Sequence, residues 1–204
     1  MLSQIRPAIV LLALFTLLTG FVYPMAITGV AQAVLPYQAN GSLLQVGGTP
    51  VGSALIGQNF ASDKYFHSRP SATQTQDPAH PDDSSKTIDA PYNAANSTGS
   101  NLGPTSQKLL DRVKADVAAK QAAGWTGPIP ADSVTTSASG LDPHISPGNA
   151  LAQVATVAKA RNLPEDKVRA LVEANTEGRM FGVIGEPRVN VLRLNMALDV
   201  LKAS

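Results

Sequence analysis

PAIVLLALFTLLTGFVYPMAI, residues 7–27, decides how this chain is organised. The stretch has no charged side chain, and no charged residue occurs anywhere between Arg6 and Asp63. As an α-helix rising 1.5 Å per residue, about 20 such residues span about 30 Å, the thickness of the hydrocarbon layer of a membrane. A single segment in lipid must satisfy its own backbone hydrogen bonds, which a helix does. The sequence therefore predicts a transmembrane helix over residues 7–27.

Two other interpretations of this stretch are a cleaved signal peptide and a buried helix of a soluble domain. Arg6 and the small residues in Ala31-Gln32-Ala33 fit a signal peptide, but the apolar run exceeds the roughly 7–15 residues of a usual signal core. Large apolar side chains cover every face of the helix from Leu11 to Leu18, without the polar stripe of a soluble surface helix. The length of the apolar run and its lack of a polar stripe favour an uncleaved membrane anchor.

The positive-inside rule sets the expected orientation of this anchor. Arg6 precedes the helix, and the first lysine after it is Lys64. We therefore expect residues 1–6 in the cytoplasm and a domain of residues 35–204 on the extracytoplasmic side.

Several residues within the apolar stretch have an expected place in the membrane. Phe21 and Tyr23 suit the outer interface, where aromatic rings are enriched. Pro24 is expected to kink or end the regular helix. Thr16 and Gly20 are spaced for the close approach of a neighbouring helix, although small residues are also simply tolerated in lipid.

The composition excludes several classes of protein. The 204 residues include no cysteine, which excludes disulfides and thiolate chemistry. The net charge of +1 gives no electrostatic reason to expect nucleic acid as a partner. The 16 glycines and 15 prolines predict many turns.

The first half of the body predicts a hairpin and a long loop. Residues 43–46 and 51–56 lie on either side of Gly47-Gly48-Thr49, an arrangement that is typical of a tight β-hairpin. Residues 71–101 are rich in Ser, Thr, Asp, Asn and Pro and predict a long polar loop. Because long loops in compact domains are often functional, we regard it as a possible contact surface.

The second half predicts helices. Apolar residues recur at helical spacing after residues 101–105, after Ser146-Pro147, from residue 163 onward and towards Leu201. Residues 132–136 are compatible with a short strand. The predicted fold class is mixed α/β: one N-terminal transmembrane helix followed by a single α+β extracytoplasmic domain with a long polar loop.

Residues 139–147, SGLDPHISP, hold the densest set of reactive side chains. Ser139, Asp142 and His144 are the residue types of a hydrolase triad, but triad members normally come from distant chain positions, and no G-x-S-x-G elbow is present. His67, His80 and His144 lack the spacing of a metal site, and no phosphate-binding glycine loop occurs. A rigid turn that begins a helix, or a turn presented to a partner, explains this segment better.

Five stretches match the C subunit of the Kdp-type potassium-transporting ATPase of bacteria, in the same order. They are GSALIGQ (52–58), FHSRPSA (66–72), TGSNLGPT (98–105), SASGLDPHISP (137–147) and GEPRVNVLRLN (185–195). Together with the apolar N-terminal stretch they cover nearly the whole chain, so the sequence closely resembles this family.

The resemblance implies a non-catalytic accessory subunit of a high-affinity potassium uptake pump in the bacterial plasma (inner) membrane. Its implied partners are a channel-like potassium-binding subunit, a catalytic P-type ATPase subunit, a small single-helix subunit and the lipid bilayer. The family role includes stabilising the assembly and raising the ATP affinity of the catalytic subunit. ATP and K+ would act on the complex, and no cofactor is expected on this chain. An outer domain cannot touch ATP held in the cytoplasm, so the expected topology opposes direct ATP contact.

Polar residues in the matching stretches are the candidate partner contacts: Gln58, Arg69, Asn101, Ser139, Asp142 and His144. No catalytic residue and no metal ligand is predicted. The alternative is a membrane-anchored hydrolase or binding protein that acts alone.

Overall fold

A computed structural model describes residues 2–201. The chain forms two units, one ending at Ser53 and the other beginning at Ala54. The predicted mixture of helices and strands is confirmed.

One continuous helix, Ile5–Val34, dominates the N-terminal unit and is long and apolar enough to cross a membrane. It consists of α1 (Ile5–Leu17), a π-helical stretch (Leu18–Val22) and α2 (Tyr23–Val34). In the wide turn, the Tyr23 N–H donates to the carbonyl of Leu18. Pro24 has no N–H, and its ring crowds the carbonyl four residues earlier. The wider turn accommodates this proline, so the helix does not end there, and it extends beyond the predicted range of residues 7–27 on both sides.

A short helix and a β-hairpin complete this unit. Helix α3 (Pro36–Ala39) precedes strands β1 (Leu43–Val46) and β2 (Thr49–Ser53), which pair antiparallel. The two turn residues Gly47 and Gly48 have φ of 57° and 83°, the left-handed pair that a two-residue hairpin turn requires. The predicted hairpin is confirmed, although β2 ends at Ser53 rather than at residue 56.

The core of the second unit packs three helices against a small sheet. The helices are α5 (Pro147–Arg161), α6 (Glu165–Ala174) and α7 (Val191–Val200). The antiparallel sheet has the order β5 (His144–Ile145), β7 (Arg188–Asn190), β6 (Thr176–Glu177). Fully buried apolar side chains come from the three helices, from β7 and from Phe66, which lies outside these elements: Phe66, Val154, Val168, Val189, Leu194 and Leu198.

Two buried amide side chains hold the segment Phe66-His67 in this core. Asn195 Oδ1 accepts the Phe66 N–H at 2.8 Å, and Asn195 Nδ2 donates to the Phe66 carbonyl at 3.0 Å. Gln153 does the same for His67, with distances of 2.7 and 3.2 Å. No strand within residues 2–201 pairs with this segment, so the helices supply the hydrogen bonds that a buried backbone needs.

The polar loop of residues 71–101 is more ordered than the sequence predicts. It contains an antiparallel pair, β3 (Gln74–Gln76) and β4 (Thr87–Asp89). Thr73, only 1 % exposed, donates from Oγ1 to the Ala90 carbonyl at 2.6 Å and accepts the Asn93 N–H at 3.1 Å. Polar residues can anchor a loop through such hydrogen bonds without a large apolar core.

Helix α4 (Gln107–Ala122) follows this loop. Ser106 caps its N-terminus, and Gly124, with φ of +87°, follows its end as predicted.

The predicted strand at residues 132–136 is wrong. Residues Ala131–Ser133 form a 3₁₀ turn. The Asp132 carboxylate accepts hydrogen bonds from the Ser146 N–H at 2.7 Å and the Ser146 hydroxyl at 2.9 Å. These bonds bind the segment to the start of α5 and not to a neighbouring strand.

Candidate partner-contact site

Three of the predicted contact residues meet in the second unit: Arg69, Asp142 and His144. Arg69 Nη1 lies 3.2 Å from Asp142 Oδ2. The other carboxylate oxygen of Asp142 accepts the His144 N–H at 2.9 Å, and His144 Nδ1 lies 3.6 Å from it. Arg69 follows the buried Phe66 and His144 begins β5, so the core positions the backbone of both residues.

The environment keeps Asp142 ionised. Burial by itself raises the pKa of this carboxyl. The hydrogen bonds from His144 and the positive charge of Arg69 outweigh burial, so the pKa of Asp142 lies below its ordinary value. Asp142 therefore carries a negative charge opposite Arg69 at neutral pH.

Arg69 also holds the irregular segment that contains Thr135 and Thr136. Its Nη2 donates to the carbonyls of Thr136 at 3.2 Å and Thr135 at 3.5 Å. Its own carbonyl accepts a hydrogen bond from the Tyr92 hydroxyl at 2.8 Å. Burial raises the pKa of Tyr92 to about 12, which keeps this hydroxyl a donor. Arg69 thereby links the polar loop to the segment before Asp142.

Two glycines allow these loops to approach closely. A Cβ on Gly57 would lie 2.4 Å from the Tyr92 ring and 2.7 Å from the Asp142 carbonyl. A Cβ on Gly140 would lie 2.5 Å from Thr73 Cγ2, and Gly140 also has φ of +67°. Only glycine fits both positions without displacing a neighbour. Sequence reasoning noted these glycines in the matching motifs but gave them no role.

The remaining predicted contact residues are Ser139, Gln58 and Asn101. Ser139 and Asn101 make no hydrogen bond to Arg69, Asp142 or His144 among those that the structure shows for residues 2–201. Ser139 is exposed, and its Oγ accepts the Leu141 N–H at 3.1 Å, a bond within its own turn. The Gln58 carbonyl accepts the Ser68 hydroxyl at 3.1 Å. Asn101 is exposed and left-handed, with φ of 51°, in the segment before α4. Among the hydrogen bonds of residues 2–201, none joins Ser139 to His144.

The other histidines lie apart from this cluster. His67 Nε2 lies 3.2 Å from the Ser62 carbonyl, and His80 Nδ1 lies 2.9 Å from Asp77 Oδ2. Within the described part of the chain, no three His, Asp or Glu side chains are grouped as metal ligands would be.

An open cleft of about 380 Å³ lies beside the cluster. Arg69, Asp142 and His144 form one side of it, and Glu186 and Arg188 form another. The side chains that line the cleft therefore carry charges of both signs. Such a lining suits contact with a polar protein surface better than the binding of a small apolar ligand. Sequence reasoning missed Glu186 and Arg188 as members of this site, although both lie in a matching stretch.

The two residues predicted to pack in the membrane belong to the other unit. Thr16 and Gly20 are both exposed on the N-terminal helix, and Gly20 lies within the π-helical stretch. Thr19, between them, donates from its hydroxyl to the Phe15 carbonyl at 2.6 Å.

Comparison with known proteins gives a match over nearly the whole chain. Residues 5–200 match the family model described as KdpC: K+-transporting ATPase, c chain. Proteins named potassium-transporting ATPase KdpC subunit are similar throughout. The one from Allorhizobium ampelinum is 61% identical over 204 residues, which is 100% of both chains. Those from Bradyrhizobium diazoefficiens and Methylorubrum populi are 60% and 59% identical, each over 98% of both chains.

These relatives are named as subunits of a larger transporter, so the alternative of an anchored hydrolase or binding protein acting alone is not supported. The apolar helix Ile5–Val34 is consistent with a single membrane span. On the evidence of the full-length match, this chain belongs to the KdpC family, the c chains of the K+-transporting ATPase.

Proposed function

We propose that this chain is the non-catalytic accessory subunit of an ATP-driven potassium uptake pump. The observation that carries the proposal is the full-length match to c chains of the K+-transporting ATPase. The geometry supports a contact role, because Arg69, Asp142 and His144 are held in place by hydrogen bonds within the second unit.

The chain is anchored in the bacterial plasma membrane by Ile5–Val34, with its N-terminus in the cytoplasm and the second unit outside. Arg6, on the first turn of the helix, supports this orientation, since positive charges are retained on the cytoplasmic side. The helix from Ile9 to Val34 has no charge that would oppose insertion.

The second unit docks on the extracytoplasmic face of the channel-like subunit. The face it uses is the charged cleft around Arg69, Asp142 and His144, whose side chains are prearranged by hydrogen bonds and lose little freedom on binding. The catalytic P-type subunit and the small single-helix subunit complete the assembly, and the membrane helix packs against them through Thr16 and Gly20.

An effect on ATP affinity is then indirect. A subunit outside the membrane shifts a pump between conformational states only if it contacts those states differently. Docking that favours the pump state with high nucleotide affinity raises the ATP affinity of the catalytic subunit without any contact with ATP. By the same coupling, ATP binding strengthens the docking of the second unit by an equal factor.

Truncation tests this function. A chain that keeps residues 1–34 and lacks residues 35–204 is expected to insert but to abolish potassium transport by the assembled pump. Transport with unchanged potassium affinity in this variant would refute docking by the second unit.

Two further measurements test the topology. N-terminal sequencing of the mature chain should begin ahead of Ala33. A C-terminal tag should be accessible only from outside the cell. A chain that starts after Ala33, or a tag reached only from the cytosol, would contradict the anchor.

A further inference from the structure

The hairpin of β1 and β2 exposes apolar side chains and carries no charge. Leu43 and Val46 are 46 and 57 % exposed, and no charged residue occurs from residue 7 to residue 62. Within residues 2–201, β1 and β2 pair only with each other. An isolated two-stranded hairpin is marginally stable in water and needs a surface to pack on. The question is which surface this hairpin meets.

Hydrogen bonds hold the start of the hairpin beside the end of the apolar helix. Asn40 Nδ2 donates to Gln32 Oε1 at 3.0 Å, and Gln32 Nε2 donates to Asn40 Oδ1 at 3.3 Å. Ser42 is buried, and its carbonyl accepts the Tyr37 hydroxyl at 3.0 Å. The chain between the helix and β1 is therefore folded back and not extended, so β1 begins close to the last turns of the helix.

The length of the helix sets the depth of the hairpin. Residues 7–27, the predicted span, fill the hydrocarbon layer of about 30 Å. Gln32 lies five residues further along the same helix, about 7.5 Å along its axis. The headgroup region adds about 5–7 Å on each side of the hydrocarbon. Gln32 and the start of the hairpin therefore lie at headgroup level, and strands of four or five residues extend only about 14–17 Å from that point.

We propose that the hairpin lies on the outer surface of the bilayer, with Leu43 and Val46 in contact with lipid. This inference rests on the membrane span in the proposed function. Exposed apolar side chains continue from the last turns of the helix into the hairpin: Val30, Val34, Leu35, Tyr37, Leu43 and Val46. Aliphatic side chains and tyrosine rings are favourable at the membrane interface, and a hairpin without charges gives up no ion hydration on entering it.

The covalent connection to the helix favours lipid over a protein partner. A protein would have to supply a matching apolar groove at this one place, whereas the bilayer surface is present wherever the helix is inserted. The exposed side chains of the hairpin also offer far less than the roughly 800 Å² per partner of a stable protein interface. Because the helix already holds the hairpin beside the bilayer, its effective concentration there is high, and a few apolar side chains are enough.

Such a contact restricts the connection to the second unit. Ser53, the last residue of β2, donates from Oγ to the Gly41 carbonyl at 2.7 Å and so closes the base of the hairpin. The next residue, Ala54, begins the second unit, and its carbonyl accepts Asn190 Nδ2 at 2.8 Å. No long flexible linker separates the hairpin from this anchored residue. A hairpin held on the bilayer therefore limits the movement of the chain that enters the second unit.

The test uses single cysteines, because the chain has none of its own. Nitroxide labels are attached to Val46→Cys, Arg169→Cys and Leu12→Cys in the full-length chain in phosphatidylcholine nanodiscs. All three positions are exposed; Arg169, on α6, is the water control, and Leu12, in the apolar helix, is the lipid control. Electron paramagnetic resonance compares collisions with oxygen, which concentrates in lipid, and with a water-soluble nickel chelate. The oxygen-to-nickel ratio at position 46 should be several-fold higher than at position 169.

Equal ratios at positions 46 and 169 would overturn the proposal. In the assembled pump, a photoreactive benzoylphenylalanine in place of Val46 identifies the neighbour. An adduct with phospholipid supports the proposal, whereas an adduct with another pump subunit or a second copy, or no adduct, overturns it. If position 12 is exposed to lipid and position 46 is not, only this inference fails. If position 12 is exposed to water as well, the membrane span of the proposed function fails first.

Discussion

Replacing Arg69 by methionine removes the central charge of the contact cluster while keeping most of its apolar side chain. A hydrogen bond to a charged group contributes about 1.5–3 kcal/mol, and a fully exposed ion pair about 0–1 kcal/mol. The side chains of Arg69 and Asp142 are 24 % and 28 % exposed, so the pair lies between these limits. Arg69 Nε is buried and has no partner among the described residues, which offsets part of the gain. We expect a loss of about 2–3 kcal/mol in the free energy of unfolding.

Denaturant unfolding of the full chain in detergent micelles measures this loss. Trp125, the sole tryptophan, is partly buried after α4 and provides a fluorescence signal from the second unit. Loss of 2–3 kcal/mol corresponds to roughly 4–12 °C in the unfolding temperature of a domain of about 150–250 residues. The exposed Arg169→Met is the matched control, and it should change stability by less than about 0.5 kcal/mol.

A double-mutant cycle with Asp142→Asn isolates the ion pair from the bonds to Thr135 and Thr136. We expect a coupling energy of about 1–2 kcal/mol. A coupling below about 0.3 kcal/mol, or an Arg69→Met variant as stable as the parent, would refute the argument that this pair organises the cluster.

The pH dependence of the free energy of unfolding gives an independent check of the Arg69–Asp142 ion pair. The pKa of Asp142 is lowered in the folded chain, so its contribution to stability is present above the ordinary carboxyl pKa and is lost as the pH falls through the lowered value. Without Arg69 the carboxyl protonates at higher pH. The stability difference between the parent and Arg69→Met should therefore narrow in acid, and a difference that widens would contradict the assigned charges.

Three further substitutions test the loops and the core by the same unfolding measurement. Gly140→Ala should cost about 3 kcal/mol or more, because its Cβ would meet Thr73 Cγ2 at 2.5 Å and its φ is +67°; a neutral result would show that the loops can separate freely. Asn195→Ala should cost about 2–3 kcal/mol and speed hydrogen exchange at the Phe66 amide, because both bonds to that residue are lost; slow exchange at this amide would contradict it. Ser146→Ala should cost about 1–2 kcal/mol, because the hydroxyl both caps α5 and donates to a carboxylate; a loss below about 0.3 kcal/mol would contradict both roles.

Elements whose cause is local could be predicted from the sequence. The hairpin turn follows from Gly47-Gly48, and the start of α5 follows from Ser146-Pro147, because a two-residue turn and a helix cap depend only on adjacent residues. The long apolar helix Ile5–Val34 follows from uninterrupted apolar composition in the same way.

Elements that depend on distant partners could not be predicted. Residues 144–145 read as part of a turn, yet they form β5 because Ile145 pairs with Val189, far along the chain. Residues 132–136 read as a strand, but Asp132 accepts bonds from the start of α5 instead. The sequence alone does not show which long-range partner a short segment will find.

The candidate site also combines residues that the sequence indicated with features that it did not show. The matching motifs brought out Arg69, Asp142 and His144, which the fold places in contact. The turn over residues 178–185 follows from Gly178, Gly182 and Gly185, whereas the sequence does not show that Met180, Phe181, Val183 and Ile184 are exposed there.

The two amides that hold Phe66-His67 also determine how exactly this segment is positioned. Asn195 and Gln153 each bond both backbone groups of one residue. A shift by one residue would also take the fully buried Phe66 ring out of the core. The helices α5 and α7 therefore fix the position of Phe66-His67 along the chain. Because Arg69 lies three residues after Phe66, this fixed position brings it within reach of Asp142.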